Sequence, residues 1–192
     1  MKSIAVATLL ATVAAGSAAA QTASFQCPAR GTQFSYAGNG LEKVNTASGQ
    51  ESTVCLYDSV SNGKAETLRV HGGLVGAVGA QGESFARGLD LKALWPLKVG
   101  NEITNTVTFV GRDGKSHTST VTMTVVAYEK VTVPAGTFDA FRIEESKASS
   151  NGRNIHWWAP AVSAAIKEIF PDWRAPGKTI TLDLVSLTPA AK

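Results

Sequence analysis

Two neighbouring segments of this 192-residue chain alternate strictly between apolar and polar side chains. Over residues 103–109, Ile, Asn, Val and Phe take one side and three threonines the other. Residues 120–125 repeat the pattern with Val121, Met123 and Val125, and the turn sequence Asp113-Gly114 lies between the two segments. An alternation of period two predicts strands, and Asp-Gly accepts the positive φ of a tight hairpin. The pattern therefore predicts an antiparallel sheet with one covered face.

The stretch 128–170 continues the sheet with its own turn signals. Pro134 cannot donate to a strand ladder and Gly136 tolerates unusual dihedrals, so residues 134–136 are interpreted as a structural turn. Asn151-Gly152 predicts a second hairpin. The predicted fold is mainly β: a curved antiparallel sheet forming a half-barrel, an open barrel or a sandwich, with at most one or two short helices. One such helix is predicted from Ser84 to Trp95, ended by Pro96.

The glycine-rich segment 71–82, HGGLVGAVGAQG, has the composition of a phosphate-binding loop or an oxyanion loop. It lacks the other residues that such loops require. No Lys-Ser/Thr pair follows the glycines, as a phosphate-binding loop requires. His71-Gly72-Gly73 is not accompanied by a G-x-S-x-G motif, which argues against a lipase-like oxyanion loop. We expect a loop or an irregular strand here.

The first twenty residues have the form of a signal peptide. Lys2 precedes an apolar run, and Ala18 to Ala20 offer small residues for cleavage. We expect cleavage before Gln21, a single exported β-rich domain over residues 21–192, and a periplasmic or secreted location in a bacterium. We expect no transmembrane segment in the mature chain.

Export gives the two cysteines a default role. Cys27 and Cys55 are predicted to form one disulfide, because oxidising compartments favour it and no C-x-x-C motif or neighbouring histidine indicates a metal site. A strand is expected around Cys55, so that the disulfide would fix the segment around Cys27 to the sheet.

Composition and motifs exclude several classes of function. The formal charge is +3, without a basic block, which excludes a nucleic-acid-binding footprint. Three histidines without an H-x-H or H-E-x-x-H motif give no metal site, and no cofactor motif is present. Glu144 and Glu145 are adjacent on a strand and so face opposite sides, which excludes them as a catalytic pair across one bond. Arg142 and Glu144 share a face, as a surface ion pair.

Three further segments carry a resemblance, and they read Trp95-Pro96-Leu97-Lys98-Val99-Gly100, residues 131–143 (VTVPAGTFDAFRI) and Trp157-Trp158-Ala159-Pro160. Their order resembles a group of exported bacterial β-rich domains with PLkvG, vPAGtFdafrI and WyaP motifs. That group is similar to the periplasmic lipoprotein-carrier half-barrel, which implies a curved sheet over a concave apolar surface. The group has no assigned chemistry, and residues 161–164 depart from it because they lack the usual turn glycine.

The aromatic strand supplies the candidate binding residues. Trp157 and Trp158 must face opposite sides; we expect Trp157 in the core and Trp158 outward with His156. An outward aromatic residue can hold a sugar or a lipid. Trp95 and Trp173 are further candidates, either as binding residues or as the cover of this strand.

Two hypotheses of function follow. The first is a non-enzymatic exported domain, either a carrier of an apolar, lipid-like ligand or a module that binds an envelope protein. The second is a small hydrolase or lyase acting on cell-wall or extracellular polymer. The first expects an apolar concavity; the second expects two carboxylates or a histidine pair in one cleft.

Overall fold

The computed structural model describes residues 21–111, 113–149, 152–172 and 174–191. These residues form thirteen strands, one α-helix (α1, Gly79–Arg87) and one 3-10 helix (Leu91–Leu94). The strands are β1 Thr22–Ala23, β2 Gln33–Gly38, β3 Leu41–Glu51, β4 Val54–Ser61, β5 Lys64–His71, β6 Val75–Ala77, β7 Leu97–Lys98, β8 Glu102–Val110, β9 Ser116–Val133, β10 Gly136–Lys147, β11 Arg153–Ala159, β12 Ala164–Pro171 and β13 Thr179–Thr188.

Eleven strands form one curved antiparallel sheet that does not close, in the order β6-β5-β4-β3-β2-β13-β12-β11-β10-β9-β8. It consists of two consecutive meanders, β2–β6 and β8–β13, joined where β2 pairs with β13. The short strands β1 and β7 pair separately. The predicted mainly-β class with a curved antiparallel sheet is confirmed.

The helix α1 connects the two edge strands of this sheet. It contacts β6 and β8, and thus lies across the gap that the open sheet leaves. Glu83 of α1 binds Arg69 at 3.0 Å and His71 at 3.2 Å, both on β5. The edges of the sheet are therefore covered, which protects them from pairing with another chain.

The glycine-rich segment 71–82 is expected from its sequence to be a loop or an irregular strand, and it contains a short strand followed by the start of a helix. The helix lies nearer the N-terminus than predicted. Residues 75–77 form β6, α1 begins at Gly79 rather than Ser84, and a 3-10 helix follows it. The glycines serve close packing. A Cβ on Gly82 would lie 3.0 Å from the Ala77 backbone, and one on Gly88 would lie 2.9 Å from Val107. Larger residues would push α1 away from both edge strands.

The two alternating segments form β8 and β9, with the register Ile103↔Met123 and Val107↔Ser119. Val107, Val121, Met123 and Val125 are buried, whereas the threonines of β8 face solvent. The prediction that one face of the sheet is buried and the other is exposed to solvent is confirmed. Arg112 of the first predicted hairpin and Asn151 of the second lie outside the described residues; Gly114 has the expected positive φ of 74°.

The disulfide Cys27–Cys55 is confirmed, with a Cα–Cα distance of 5.5 Å. Cys55 lies on β4 and is buried, and Phe25 packs against the Trp95 ring at 5.5 Å between centroids. The disulfide thus holds the segment around Cys27, which includes Phe25, against the sheet and against the loop that carries Trp95.

Candidate functional site

The inner face of the sheet is the face on which Tyr36, Tyr57 and His156 lie and against which α1 packs. Between this face and residues 73–85 lies a cavity of about 570 Å³. Its walls differ in chemistry: β5 and α1 supply mainly apolar side chains, with Glu66 of β5 as an exception, while β3 and β10–β12 supply most of the charged ones.

The apolar wall comes from the segment that leads from β5 into α1. Leu68 and Val70 alternate inward on β5, and Leu74, Val75 and Phe85 continue this wall along β6 and α1. Leu68, Leu74 and Val75 are buried. The wall provides a surface for a hydrocarbon group.

The charged wall centres on Glu168 of β12. Its Oε1 lies 3.3 Å from His156 Nδ1, and its Oε2 lies 3.9 Å from Lys43 Nζ. The pairing His156↔Glu168 places both side chains on the inner face of neighbouring strands. Lys43 also lies over the Tyr36 ring, 5.2 Å from its centroid. Three side chains from three strands thus form one charged cluster.

Mutual attraction fixes the charges of this cluster. Burial alone would raise the pKa of Glu168, but Lys43 and His156 outweigh it and lower that pKa to about 2. Burial would lower the pKa of His156, but the hydrogen bond to Glu168 and the nearby Glu145 raise it above its ordinary value of 6.5. The Glu168 carboxylate is therefore ionised across the physiological range.

The cluster makes stability depend on pH in a defined window. Glu168 stabilises the fold above its ordinary pKa of 4.5, and this contribution is lost as pH falls towards 2. His156 contributes below 6.5, and this contribution is lost as pH rises through its raised pKa. Glu168→Gln is expected to lower the free energy of unfolding by roughly 1–3 kcal/mol at pH 5.5 and to flatten the decline between pH 5 and 3.

Urea unfolding at a series of pH values measures this effect. The matched control is Asp139→Asn, which removes an exposed ion pair with Lys130 (2.9 Å) and should change stability little. An unchanged acid limb in Glu168→Gln would contradict the assignment.

Two phenols and an amide form the floor of the cavity on β2–β4. Tyr36 donates its hydroxyl to Ala165 O at 2.9 Å, and Ser59 donates to Asn45 Oδ1 at 2.8 Å. Burial raises the pKa of Tyr36 and of Tyr57, so both phenols stay neutral. The floor can accept and donate hydrogen bonds without a net charge.

Glu145 is a further carboxylate of the cavity, beside Glu168 and Glu66. Its side chain points inward and is buried, whereas Glu144 pairs with Arg142 (3.3 Å) and Arg153 (3.0 Å) on the other face. The prediction that Glu144 and Glu145 face opposite sides, with an Arg142–Glu144 ion pair, is confirmed. Lys147 Nζ lies 3.2 Å from Glu145 Oε1.

The expectation that Trp157 is the core residue is wrong. Trp158 is 0% exposed and packs edge-on against Trp95 at 5.0 Å, because its pairing with Phe141 directs it inward. Trp157 is half-buried on the other face, where it donates to Glu129 Oε1 at 2.7 Å. The polar character of His156 misled the prediction, since the inner face carries charged groups beside its apolar core.

The predicted binding residues separate in space. His156 lines the cavity, whereas Trp95 and Trp158 lie in the adjacent apolar core and are not part of the lining. Trp95 donates its indole N–H to Gly72 O at 3.0 Å. Trp173 lies outside the described residues. Pro134 lies in the turn between β9 and β10, and Gly136 begins β10 with a φ of +140°. Neither residue lines the cavity.

The turn before β12, where the expected glycine is missing, is formed without it. Ser163 takes a positive φ of 54°, and its hydroxyl accepts a hydrogen bond from Gln26 Nε2 at 2.7 Å. This hydrogen bond links the segment around Cys27 to the turn. It also supports the positive φ of Ser163, which glycine would adopt more readily.

Sequence reasoning missed Lys43, Tyr36, Tyr57, Lys147 and Glu168 as cavity residues. The available signal was polar or aromatic residues at inward positions of β2, β3, β4, β10 and β12. In the part of the chain that the structure describes, no group of three metal-ligating side chains occurs, and no helix has the length and hydropathy to cross a bilayer.

No protein-family profile and no curated protein matches the chain. The solved structures that are similar to this chain include the following two. One is the hypothetical lipoprotein YmcC from Escherichia coli, with 13% identity, a TM-score of 0.49 and coverage of 84% of this chain and 85% of that one. The other is a candidate exported protein with a YmcC-like fold from Bacteroides fragilis, with 13% identity, a TM-score of 0.49 and coverage of 86% and 99%. The motif resemblance stays a prediction.

Proposed function

We propose that this chain is an exported, non-enzymatic domain that holds a small amphipathic molecule in its inner-face cavity. The observation that carries the proposal is a cavity of about 570 Å³ with one apolar and one charged wall. Ligand pockets in proteins span roughly 300–1,000 Å³ and combine apolar linings with a few polar groups. The molecule would place its hydrocarbon part on Leu68, Val75 and Phe85 and its polar part near His156.

The charged wall modifies the expected ligand. A purely apolar molecule would cover Glu145, His156 and Glu168 without satisfying them, which is unfavourable. An amphipathic ligand fits both walls, so the carrier hypothesis becomes one for a lipid-like molecule with a polar head.

Export is part of the proposal. The Cys27–Cys55 disulfide supports it, because disulfides persist in oxidising compartments such as the bacterial periplasm. Residues 1–20, the proposed signal peptide, lie outside the described residues. The intact mass of the exported protein should correspond to a chain that starts at Gln21; a mass that includes Met1 would contradict cleavage.

Two valine positions of nearly equal exposure test the cavity. Val78 lines it and is 43% exposed, whereas Val60 lies on β4 away from it and is 44% exposed. Val78→Trp is expected to weaken binding of a fluorescent acyl probe by about tenfold or more, because the indole narrows the cavity, while Val60→Trp leaves it unchanged. Probe titration measures both, and circular dichroism confirms that the variants fold.

Equal affinities of the two variants would place the probe elsewhere on the surface. The absence of any saturable binding by the wild type would overturn the proposal.

A second candidate is a hydrolase or lyase that acts on cell-wall or extracellular polymer. Glu145, His156 and Glu168 in one cavity favour it, because such reactions use two carboxylates or a histidine as acid and base. The ion pairs of Glu168 with Lys43 and His156 argue for a structural role instead. Release of soluble fragments from purified cell wall by the wild type, abolished in His156→Gln, would establish this alternative.

A further inference from the structure

His156 and Glu145 line the cavity, and each carries a buried polar atom without a hydrogen-bond partner in the described part of the chain. His156 is 9% exposed and Glu145 3%, and both line the cavity. Neither His156 Nε2 nor Glu145 Oε1 has a hydrogen-bond partner among the described residues. Buried polar atoms in proteins are nearly always hydrogen-bonded, so this pair indicates a position for a ligand atom.

The two side chains stand close together on neighbouring strands. Ile143 pairs with His156 and Glu145 pairs with Asn154, so Glu145 and His156 are diagonal neighbours on the inner face. Diagonal side chains of this kind are about 7–8 Å apart at the backbone, within reach of one small group placed between their tips.

Lys147 does not satisfy Glu145 Oε1 with a hydrogen bond. Lys147 Nζ approaches Oε1 at 3.2 Å without hydrogen-bond geometry, and it also lies over the Phe85 ring, 4.3 Å from its centroid. The ammonium thus balances the charge of Glu145, while the lone pairs of Oε1 remain available for a hydrogen-bond donor.

The other side of the imidazole is fixed by Glu168. Because Nδ1 faces the Glu168 carboxylate, it carries the proton, and Nε2 accepts a hydrogen bond in the neutral ring or donates one in the imidazolium. Glu145 Oε1 accepts in either case. A neutral group that both donates and accepts suits both atoms.

A hydroxyl group has this property. It donates to Glu145 Oε1 and accepts from the imidazolium Nε2–H, and a second hydroxyl can donate to the neutral ring. An ionised carboxylate head only accepts hydrogen bonds and so cannot donate to Glu145 Oε1, and a quaternary ammonium has no hydrogen to donate.

We propose that His156 Nε2 and Glu145 Oε1 form a polar subsite for the hydroxyl-bearing head of an amphipathic ligand such as a monoacylglycerol. This inference rests on the proposed cavity function. It adds the class of head group, which the apolar wall alone does not determine.

Three ligands with comparable C10 chains and different heads test the subsite: 1-decanoylglycerol, decanoate and decyltrimethylammonium, each below its micelle concentration. Calorimetric titration of the folded protein is expected to show 1-decanoylglycerol binding at least tenfold more tightly than the other two. Glu145→Gln, and separately His156→Gln, should reduce this preference to less than threefold.

Glu144→Gln is the matched control, because it removes the adjacent carboxylate on the opposite face. It should leave the preference unchanged, and all variants are compared at equal folded fraction by circular dichroism. If the three heads bind equally, or if decanoate or the cation binds best, the subsite is overturned while the cavity function stands. If none of the three binds, both are overturned.

Discussion

Trp158→Ala is expected to lower the free energy of unfolding by about 3–5 kcal/mol. The indole is 0% exposed and packs between the Trp95 ring and the apolar core of β9 and β10. Truncation removes a large apolar volume. The space that it leaves cannot collapse, because the sheet on one side of it and the Trp95 loop on the other keep their positions. Urea unfolding, followed by far-ultraviolet circular dichroism, measures the loss.

The neighbouring Trp157 is the matched control for this prediction. It is half-buried, its ring lies 5.8 Å from Lys167 Nζ, and its N–H is bonded to Glu129. Trp157→Ala should cost less than half of the value for Trp158→Ala, since solvent can fill the space that it leaves. Equal losses in the two variants would contradict the assignment of Trp158 as the core residue.

Replacing both Cys27 and Cys55 with serine should lower the free energy of unfolding by roughly 3–4 kcal/mol. The disulfide closes a loop with a sequence separation of 28 residues, so its removal enlarges the ensemble of unfolded conformations. The folded state also loses the restraint that keeps Phe25 near Trp95. Urea unfolding of the variant and of the wild type gives the difference.

Reduced wild-type protein is the control, and it should unfold at the same urea concentration as the double variant. Thiol titration of the unfolded, unreduced wild type should detect no free thiol. Two reactive thiols per chain would show that the disulfide does not form.

The parts of the fold that could be predicted are those in which local pattern and tertiary environment agree. In β8 and β9 the apolar side chains lie on the covered face and the threonines in water, so a simple alternation was sufficient. The disulfide could be predicted because an oxidising compartment favours the pairing of the two cysteines. The turn at Pro134 could be predicted because proline cannot donate to a strand ladder.

The cavity could not be predicted because its residues come from strands distant in sequence. Lys43 of β3, Glu145 of β10 and Glu168 of β12 meet only after the sheet has curved, and no spacing in the sequence shows it. The same polar character on the inner face reversed the assignment of Trp157 and Trp158. The glycines around α1 gave an ambiguous signal, because a flexible loop and the close packing of a helix against a strand both favour glycine.

The pairing of β2 with β13 governs how this chain can fold. Each meander uses local hairpins, whereas Tyr36 and Leu184 face each other across about 150 residues of chain. Such a contact has a high entropic cost of loop closure and slows folding. A chain emerging from the ribosome or from a translocation channel cannot complete the sheet until β13 has been released. Until then the β2 edge of the first meander stays unpaired, which leaves it open to pairing with another chain.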